Sequence, residues 1–353
     1  MSSVFIVSHN NASEGAPHLC KKLECMLKKS GIYKYVCCYT SSLGVNPIDI
    51  PVIEMNKILS NVGSAALSGL QPVLILSTVV MCQHAARIRN LFRSKNIPDS
   101  SYRILGLVHE VRNETFQWVK PFHFNGIDHL VFVAEYTMKS YGAEYGPSIP
   151  KTVIRNWLTV ADKNKINSIR SIRKPIVLLV GVVAQHKGQL HVVKAFNKIS
   201  RDFPMHEIHL IGHVYDEKYA REISEACVGV KILGSCSHEK VIESLRTCEV
   251  FVHGSPMESC CLSIMEAMYC ECPIVASRVG GIPEQILDGH DGILYEYNNV
   301  DDCANALKGL LLNKDLQREI GSNARRSVLE KFYEKDKLTE YKNTIKNTWN
   351  LKS

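Results

Sequence analysis

The sequence lacks any apolar run that approaches the ~20 residues needed to cross a bilayer, which excludes a chain built on transmembrane helices. It also lacks low-complexity tracts and repeats of short period. Its 353 residues are 45% hydrophobic and 22% charged, which are ordinary globular values and exclude disordered and fibrous classes. The first residues lack the charged n-region and the cleavage site of a secretory signal, so none is expected. The length predicts two domains.

Paired C-x-x-C motifs are absent as well, although the chain contains 13 cysteines, and a structural zinc site is therefore not expected. Scattered free thiols at this density are tolerated in a reducing compartment, so we expect a cytoplasmic protein. The chain carries 42 Lys+Arg and 35 Asp+Glu, a formal net charge of +7. This balance suits an anionic ligand and lies far below the basic density of nucleic-acid-binding proteins, so no nucleic-acid partner is expected.

Short, continuous apolar runs recur along the chain, and helical patterns separate them. They cover residues 4–8, 35–39, 73–77, 104–108, 130–134, 176–180, 207–211, 250–253 and 273–277. Continuous apolar strands belong to parallel sheets that are covered on both faces. Strand–helix alternation of this kind predicts an α/β fold of two Rossmann-like, doubly wound domains facing across a cleft, with ligands at the carboxyl ends of the strands.

A polar stretch over residues 160–174, which ends before Pro175, predicts the linker between these domains. We therefore expect an N-terminal domain at 1–165 and a C-terminal domain at 166–335. A charged, helix-prone segment at 336–353 is expected to pack back on the N-terminal domain.

The segment from Ser255 to Glu284 contains the most informative pattern of the chain. It follows a predicted strand and opens a helix near Cys261. A helix start offers unpaired backbone N–H groups and about half a positive charge, which favours a phosphate. Glu258 stands before this helix and Glu266 within it, and carboxylates there can accept hydrogen bonds from sugar hydroxyls. Taken singly, each acid also fits a solvated helix terminus.

The ordered motifs of this segment resemble a known family. The Glu258/Glu266 pair has the E-x7-E spacing of retaining GT-B glycosyltransferases of family 4, the glycosyl transferases group 1. The family's further signatures follow in the same order within residues 266–294: Glu-Ala-Met, Pro-Ile-Val-Ala, Gly-Gly-Ile-Pro-Glu and Asp-Gly-His-Asp-Gly-Ile-Leu. The resemblance implies a donor site for a nucleotide-diphosphate sugar, with the backbone of Cys260, Cys261 and Leu262 facing the phosphates.

The segment 180–190 holds a second element of the resemblance, Lys187-Gly188, placed between a strand and a helix. The family carries a lysine–glycine pair here, and Lys187 is identified as its diphosphate ligand. Many members have an arginine nearby, whereas this chain has Val182 and His186 at those places. A plain surface lysine is the alternative.

Three further candidates come from loops after other predicted strands. Gly15, in a loop before a helix, is similar to a family glycine that approaches phosphate or acceptor; a simple turn glycine is the alternative. His109 resembles a histidine that contacts the donor sugar, against the alternative of a packed histidine, so that His109 and Glu258 are the expected catalytic residues. Cys236 is expected to lie beside the nucleotide base and to bind it through backbone groups.

Together these features predict a retaining hexosyl- or related glycosyltransferase. It would move a sugar from a UDP- or GDP-linked donor to a hydroxyl of a glycan, glycolipid or other acceptor. No D-x-D dyad with supporting acids occurs, so neither a divalent metal nor another cofactor is expected. A basic helix with Lys21, Lys22, Lys28 and Lys29 allows peripheral contact with a membrane that presents a lipid-linked acceptor, although a solvated face is favoured. An epimerase or hydrolase of GT-B fold and a non-catalytic nucleotide-sugar-binding protein remain alternatives.

Overall fold

A computed structural model describes residues 2–9, 15–41, 52–111, 120–142, 144–158, 172–332 and 334–350. The chain divides into two compact units, the first formed by Met1–Asn156 with Glu334–Ser353 and the second by Trp157–Tyr333. The expected domain boundary at residues 165 and 166, and most of the expected linker, lie outside the described residues.

Strands and helices alternate through most of both units. The strands are β1 (Ser2–His9), β2 (Val36–Ser41), β3 (Gln71–Ser77), β4 (Arg103–Val108), β5 (His129–Phe132), β6 (Lys151–Val153), β7 (Lys174–Val180), β8 (Glu207–Ile211), β9 (Val230–Ile232), β10 (Cys248–His253), β11 (Ile274–Ser277) and β12 (Ile293–Tyr295). The α-helices are α1 (Gly15–Lys29), α2 (Val52–Leu67), α3 (Val79–Cys82), α4 (Ala85–Ser94), α5 (Glu135–Ser140), α6 (Gln189–Ile199), α7 (Glu217–Ala226), α8 (His238–Thr247), α9 (Leu262–Tyr269), α10 (Ile282–Gln285), α11 (Val300–Leu312), α12 (Lys314–Lys331) and α13 (Glu334–Asn350).

Each unit is built on one six-stranded sheet whose described pairings are all parallel. The strand order is β2-β1-β3-β4-β5-β6 in the first unit and β12-β11-β10-β7-β8-β9 in the second. Every residue of the central strands β4 and β10 is buried, as expected for a sheet covered by helices on both faces. The expected α/β class with two doubly wound sheets is therefore confirmed.

Local sequence explains where the helices of the second unit begin. Ser237 and Asn299 precede α8 and α11, and their side-chain oxygens accept hydrogen bonds from backbone N–H groups of the first turn. Asp216 and Asn313 do the same for α7 and α12. Short polar side chains at these positions satisfy donors that the helix itself leaves unpaired.

Candidate functional site

The second sheet changes its direction of growth at β7 and β10. From β7 the sheet extends to β8 and β9 on one side, while β10, β11 and β12 lie on the other. Open α/β sheets bind ligands outside the carboxyl ends of their strands at such a switch point. The loops that leave β7 and β10 at this edge are residues 181–188 and 254–261, and they contain the predicted Lys187 and Glu258.

A glycine allows these two loops to lie against each other. Gly188 adopts a φ of +64°, and a Cβ atom at this position would lie 1.9 Å from the carbonyl oxygen of Gly254. The left-handed conformation favours glycine, and the contact leaves no room for a Cβ atom. Gly188 thereby fixes Lys187, which precedes it, against the loop after β10.

The backbone of the loop after β10 is held from two sides. The Gly281 amide donates a 2.9 Å hydrogen bond to the Glu258 carbonyl, and the Ser277 hydroxyl donates one of 2.8 Å to the Ser255 carbonyl. A Cβ atom on Gly280 would lie 2.0 Å from that Glu258 carbonyl oxygen. The Gly-Gly pair of the segment 280–284 therefore permits this close approach and positions Glu258.

The Gln285 side chain closes the same loop at the start of α9. Its Oε1 atom accepts from the Cys261 amide at 2.7 Å, and its Nε2 atom donates to the Cys261 carbonyl at 3.0 Å. The Cys261 amide, expected to face a phosphate, thus donates to Gln285 in this structure. Leu262 is the first residue of α9, and Cys260 is buried beside it.

The Glu258 carboxylate is the centre of the charged cluster at this edge. Its Oε1 atom lies 2.7 Å from Lys187 Nζ, 3.0 Å from Ser255 Oγ and 3.4 Å from His253 Nε2. Burial raises the pKa of Glu258, but the Lys187 ammonium and the His253 imidazole outweigh burial and hold the pKa well below its usual range. Glu258 is therefore a carboxylate whose negative charge is stabilised by two neighbouring cations, Lys187 and His253.

His253, the last residue of β10, adds a second cation to the cluster. Burial lowers the pKa of His253, whereas the neighbouring Cys261 thiol and Glu258 carboxylate raise it, to about 9. Burial and the Glu258 carboxylate raise the pKa of Cys261, but His253 and Lys187 together outweigh them, so that this pKa lies below its ordinary value. The ligand atoms of His253, Glu258 and Cys261 all lie within 4.8 Å of one another, a spacing that could hold a metal ion.

The second carboxylate of the pair, Glu266, lies within α9 and is buried. Its Oε1 atom contacts His238 Nε2 at 3.0 Å. His238 begins α8, directly after the loop that contains Cys236, whose thiol donates to the Gly234 carbonyl at 3.8 Å. This contact therefore connects Glu266 to the end of the loop that contains Cys236, the residue expected beside the nucleotide base.

The other two predicted residues belong to the first unit. His109 follows β4 and is half-buried, with its Nε2 atom 3.2 Å from Ser77 Oγ at the end of β3. Gly15 is the first residue of α1, whereas residues 10–14 of its loop lie outside the described part of the chain.

Sequence reasoning missed the histidines and the glutamine of the second unit's site. His253 is the last residue of a predicted strand. Its position at the carboxyl end of that strand was the signal that could have identified it. Gln285 and His238 reach the site from α10 and α8 through tertiary packing, and no local spacing indicates them.

Comparison with known proteins supports the motif assignment. Residues 162–327 match the family Glycosyl transferases group 1. Alpha-maltose-1-phosphate synthase of Mycolicibacterium smegmatis is 31% identical over 175 residues, which are 46% of this chain and 45% of that protein. The chain aligns with 41% to 45% of the first curated relatives, less than half of their length.

Solved structures match the whole chain. Sucrose-phosphate synthase from Thermosynechococcus elongatus gives a TM-score of 0.78 at 18% identity and covers 99% of this chain and 100% of its own. Anabaena Alr3699/HepE, solved in complex with UDP-glucose, gives 0.77 at 15% identity over 98% and 100% of the two chains. In the described residues, no helix is both long and apolar enough to span a membrane. Residues 162–327 are therefore similar to the glycosyl transferases group 1 family, and the chain has the GT-B fold of the solved structures it matches.

Proposed function

We propose that this protein transfers a sugar from a nucleotide-diphosphate sugar to a hydroxyl acceptor and retains the anomeric configuration. One observation carries the proposal: the ion pair of Lys187 and Glu258, at 2.7 Å, between the loops that leave the two strands of the switch point. These two residues belong to separate motifs of the sequence, and the fold brings them into contact; we assign the diphosphate to the Lys187 ammonium and the sugar to the Glu258 carboxylate.

In this proposal Lys187 and the start of α9 receive the leaving diphosphate. The Lys187 side chain is 31% exposed and the Glu258 side chain 13%, so the ammonium is the more accessible partner. The negative charge that develops on the leaving group is stabilised by the ammonium and by the N–H groups of the first turn of α9. Lys187 then exchanges part of its contact with Glu258 for the donor.

The carboxylates bind the carbohydrate parts of the donor. Glu258 accepts hydrogen bonds from the transferred sugar, and Glu266, oriented by His238, accepts them from the ribose. The backbone near Cys236 contacts the base. In the first unit, His109 stays a predicted contact of the donor sugar and Gly15 a predicted contact of phosphate or acceptor.

We further propose that turnover needs no divalent metal, since Lys187 and the helix terminus offset the diphosphate charge. The departing phosphate would help to deprotonate the acceptor hydroxyl, so that the protein supplies no separate general base. A glycan or lipid-linked acceptor and a cytoplasmic location complete the proposal. The expected result is full activity in excess chelator, and an activity that returns only with added Mg²⁺ would contradict it.

The donor is proposed to be a UDP- or GDP-sugar, and UDP-glucose is the first to test because Alr3699/HepE is solved with it. A ligand that binds only the folded state raises the melting temperature. A thermal-shift panel of UDP, GDP and ADP sugars therefore identifies the base. Release of the nucleoside diphosphate, with and without candidate acceptors, then separates transferase from hydrolase.

The Glu258→Gln variant tests the site. It keeps the shape of the side chain and removes the charge that accepts the sugar hydroxyls. Charge-assisted hydrogen bonds of ~1.5–3 kcal/mol predict a loss of donor turnover of roughly 10- to 150-fold. Glu243→Gln is the control, because the Glu243 side chain on α8 is about half-exposed and pairs with Lys240. Unchanged turnover in Glu258→Gln would refute the site.

A further inference from the structure

Three side chains of different donor type meet at the end of β10. The His253 imidazole, the Glu258 carboxylate and the Cys261 thiol each offer one ligand atom, and these atoms lie within 4.8 Å of one another. His253 Nε2 and Glu258 Oε1 are 3.4 Å apart. Metal bonds of about 2.0–2.3 Å place the ligand atoms of a tetrahedral zinc site roughly 3.4–3.7 Å apart, so this edge of the triangle already has the right length.

The cluster is buried and not fully satisfied by the protein. His253 is 6% exposed and Cys261 8%. Among the described residues, the Nδ1 atom of His253 is buried and has no hydrogen-bond partner. A buried polar atom without a partner costs free energy unless a ligand or solvent pairs with it. Nδ1 is not the nitrogen that faces Glu258, so the protein leaves the imidazole only partly satisfied, and Nε2 is the atom available as the metal ligand.

We propose that His253, Glu258 and Cys261 bind a zinc ion. A nitrogen, an oxygen and a sulfur ligand form a set that zinc accepts, and three protein ligands leave the fourth tetrahedral position open. The loop that carries Glu258 and Cys261 is itself fixed by the backbone contacts of Gly281 and Gln285. Two of the three ligands are thus positioned before the metal arrives.

Zinc competes with Lys187 for the same oxygen. Glu258 Oε1 accepts from Lys187 Nζ at 2.7 Å and from Ser255 Oγ at 3.0 Å. A divalent ion on that oxygen displaces the ammonium and repels it. This consequence rests on the proposed function: the bound ion withdraws Glu258 from the sugar, so zinc inhibits donor turnover, and the metal is a regulator of the site and not its cofactor.

Metal binding is measured without any turnover. The full chain competes with a chromophoric chelator for Zn²⁺, and Co²⁺ reports its ligands through the cobalt–thiolate charge-transfer band. The expected results are one zinc per chain and a thiolate band in the wild type. In Cys261→Ser the band is lost. Zinc affinity falls by at least about ten- to a hundredfold, the loss that is typical when a residue that only orients a metal ligand is removed.

A second thiol site serves as the matched control. The Cys248 and Cys272 sulfur atoms lie 3.3 Å apart, at the other end of the sheet. Cys272→Ser is expected to keep both the cobalt band and the zinc affinity. A band that is absent from the wild type would overturn the proposal without the use of any variant, and a band that survives in Cys261→Ser would overturn it as well.

Turnover of UDP-glucose is then titrated with Zn²⁺ and restored with chelator. Inhibition that is weakened in Cys261→Ser by the same factor as zinc affinity supports the regulatory role. Zinc bound at full occupancy with undiminished turnover refutes that role. A chain that binds zinc as described but turns over no nucleotide sugar refutes the proposed function and leaves the metal site standing.

Discussion

In the proposed function, the Lys187 ammonium pairs with one of two anions, the Glu258 carboxylate or the diphosphate of the donor. In this structure its ammonium neutralises Glu258, a carboxylate that is mostly withdrawn from water. A buried carboxylate without a counter-charge is costly, so the lysine stabilises Glu258 in its charged form. A diphosphate brings its own negative charge, and the same ammonium can then turn to it while Ser255 and His253 keep Glu258 paired.

Lys187→Ala should therefore lower kcat/KM for the donor. Removal of one group that stabilises developing charge typically costs roughly 10²–10³-fold. The measurement is the initial rate of nucleoside diphosphate release at low donor concentration. Lys198→Ala is the control, because Lys198 is half-exposed and pairs with Asp301 on the surface of the same unit. Equal rates in the two variants would show that Lys187 is only a surface lysine.

Glu249 gives a prediction for stability against pH. Burial raises its pKa, but Lys314, Gln317 and His206 outweigh burial and the pKa lies below the ordinary value. A carboxyl group whose pKa is lower in the folded state stabilises the fold above its unfolded pKa of about 4.3, and this stability is lost as the pH falls further.

Denaturant unfolding of wild type and Glu249→Gln at a series of acid pH values measures this effect. The wild type should lose free energy of unfolding more steeply below about pH 4.3 than the variant. Glu319→Gln is the control, since Glu319 is exposed on α12, the helix that also carries Lys314 and Gln317. Parallel curves for wild type and Glu249→Gln would contradict the assignment.

At this scale the sequence singled out both residues of the ion pair at the candidate site, but not the residues around them. Lys187 and Glu258 lie in recognisable motifs 71 positions apart, and the structure brings them into contact. His253 and Gln285 were missed because their roles depend on which strand and helix edges pack together. Their side chains face the site only after the sheet has formed, and short-range periodicity contains no information on that.

Among the elements, the loops at the carboxyl edge depend on glycines as well as on the side-chain contacts of Ser277 and Gln285. Gly188 connects a short turn to α6 in a left-handed conformation and touches Gly254. Gly280 permits the corresponding approach to Glu258. Each close contact excludes a Cβ atom, so the spacing of the two loops is encoded by the absence of side chains.

Gly188→Ala should consequently destabilise the second unit. The left-handed conformation and a Cβ 1.9 Å from a backbone oxygen predict a loss of about 1–3 kcal/mol in the free energy of unfolding, with reduced donor affinity. Gly309→Ala on α11 should have the opposite sign. A Cβ there meets no atom within 4 Å, and alanine in a helix stabilises by roughly 0.5–1 kcal/mol. Denaturant unfolding of both variants checks the pair, and a stable Gly188→Ala would contradict it.

The strands show which elements can be predicted from sequence. All nine apolar runs fall on strands, because a strand buried on both faces needs a continuous apolar sequence. Three strands were missed: β6, β9 and β12, each of three residues at the edge of its sheet. An edge strand of this length pairs on one side only and needs no apolar run, so its sequence resembles a loop.

On the scale of the whole molecule, the chain leaves the first unit and later returns to it. The first unit ends at Asn156 and is completed by the chain that returns at Glu334. The returning α13 is held by a buried cation: Arg103 of β4 lies with its guanidinium 4.2 Å from the Trp349 ring centroid. Its Nε atom donates to the Thr348 carbonyl at 3.1 Å. The first unit therefore depends on Thr348 and Trp349 of α13 for part of its packing.

Trp349→Ala should release α13 from the first unit. Arg103 is only 4% exposed, and without the aromatic face its charge loses a contact worth about 2 kcal/mol when desolvated, in addition to the packing of the ring. Limited proteolysis should then cut within 334–350 before it cuts the sheet. Trp349→Phe keeps an aromatic face and should be cut more slowly than Trp349→Ala, and Lys346→Ala, at an exposed position of the same helix, should behave as the wild type. Both variants shorten a side chain of α13, but only Trp349→Ala removes the partner of the buried Arg103 cation. If Trp349→Ala and Lys346→Ala were cut at the same rate, the contact with Arg103 would therefore not be what holds the helix.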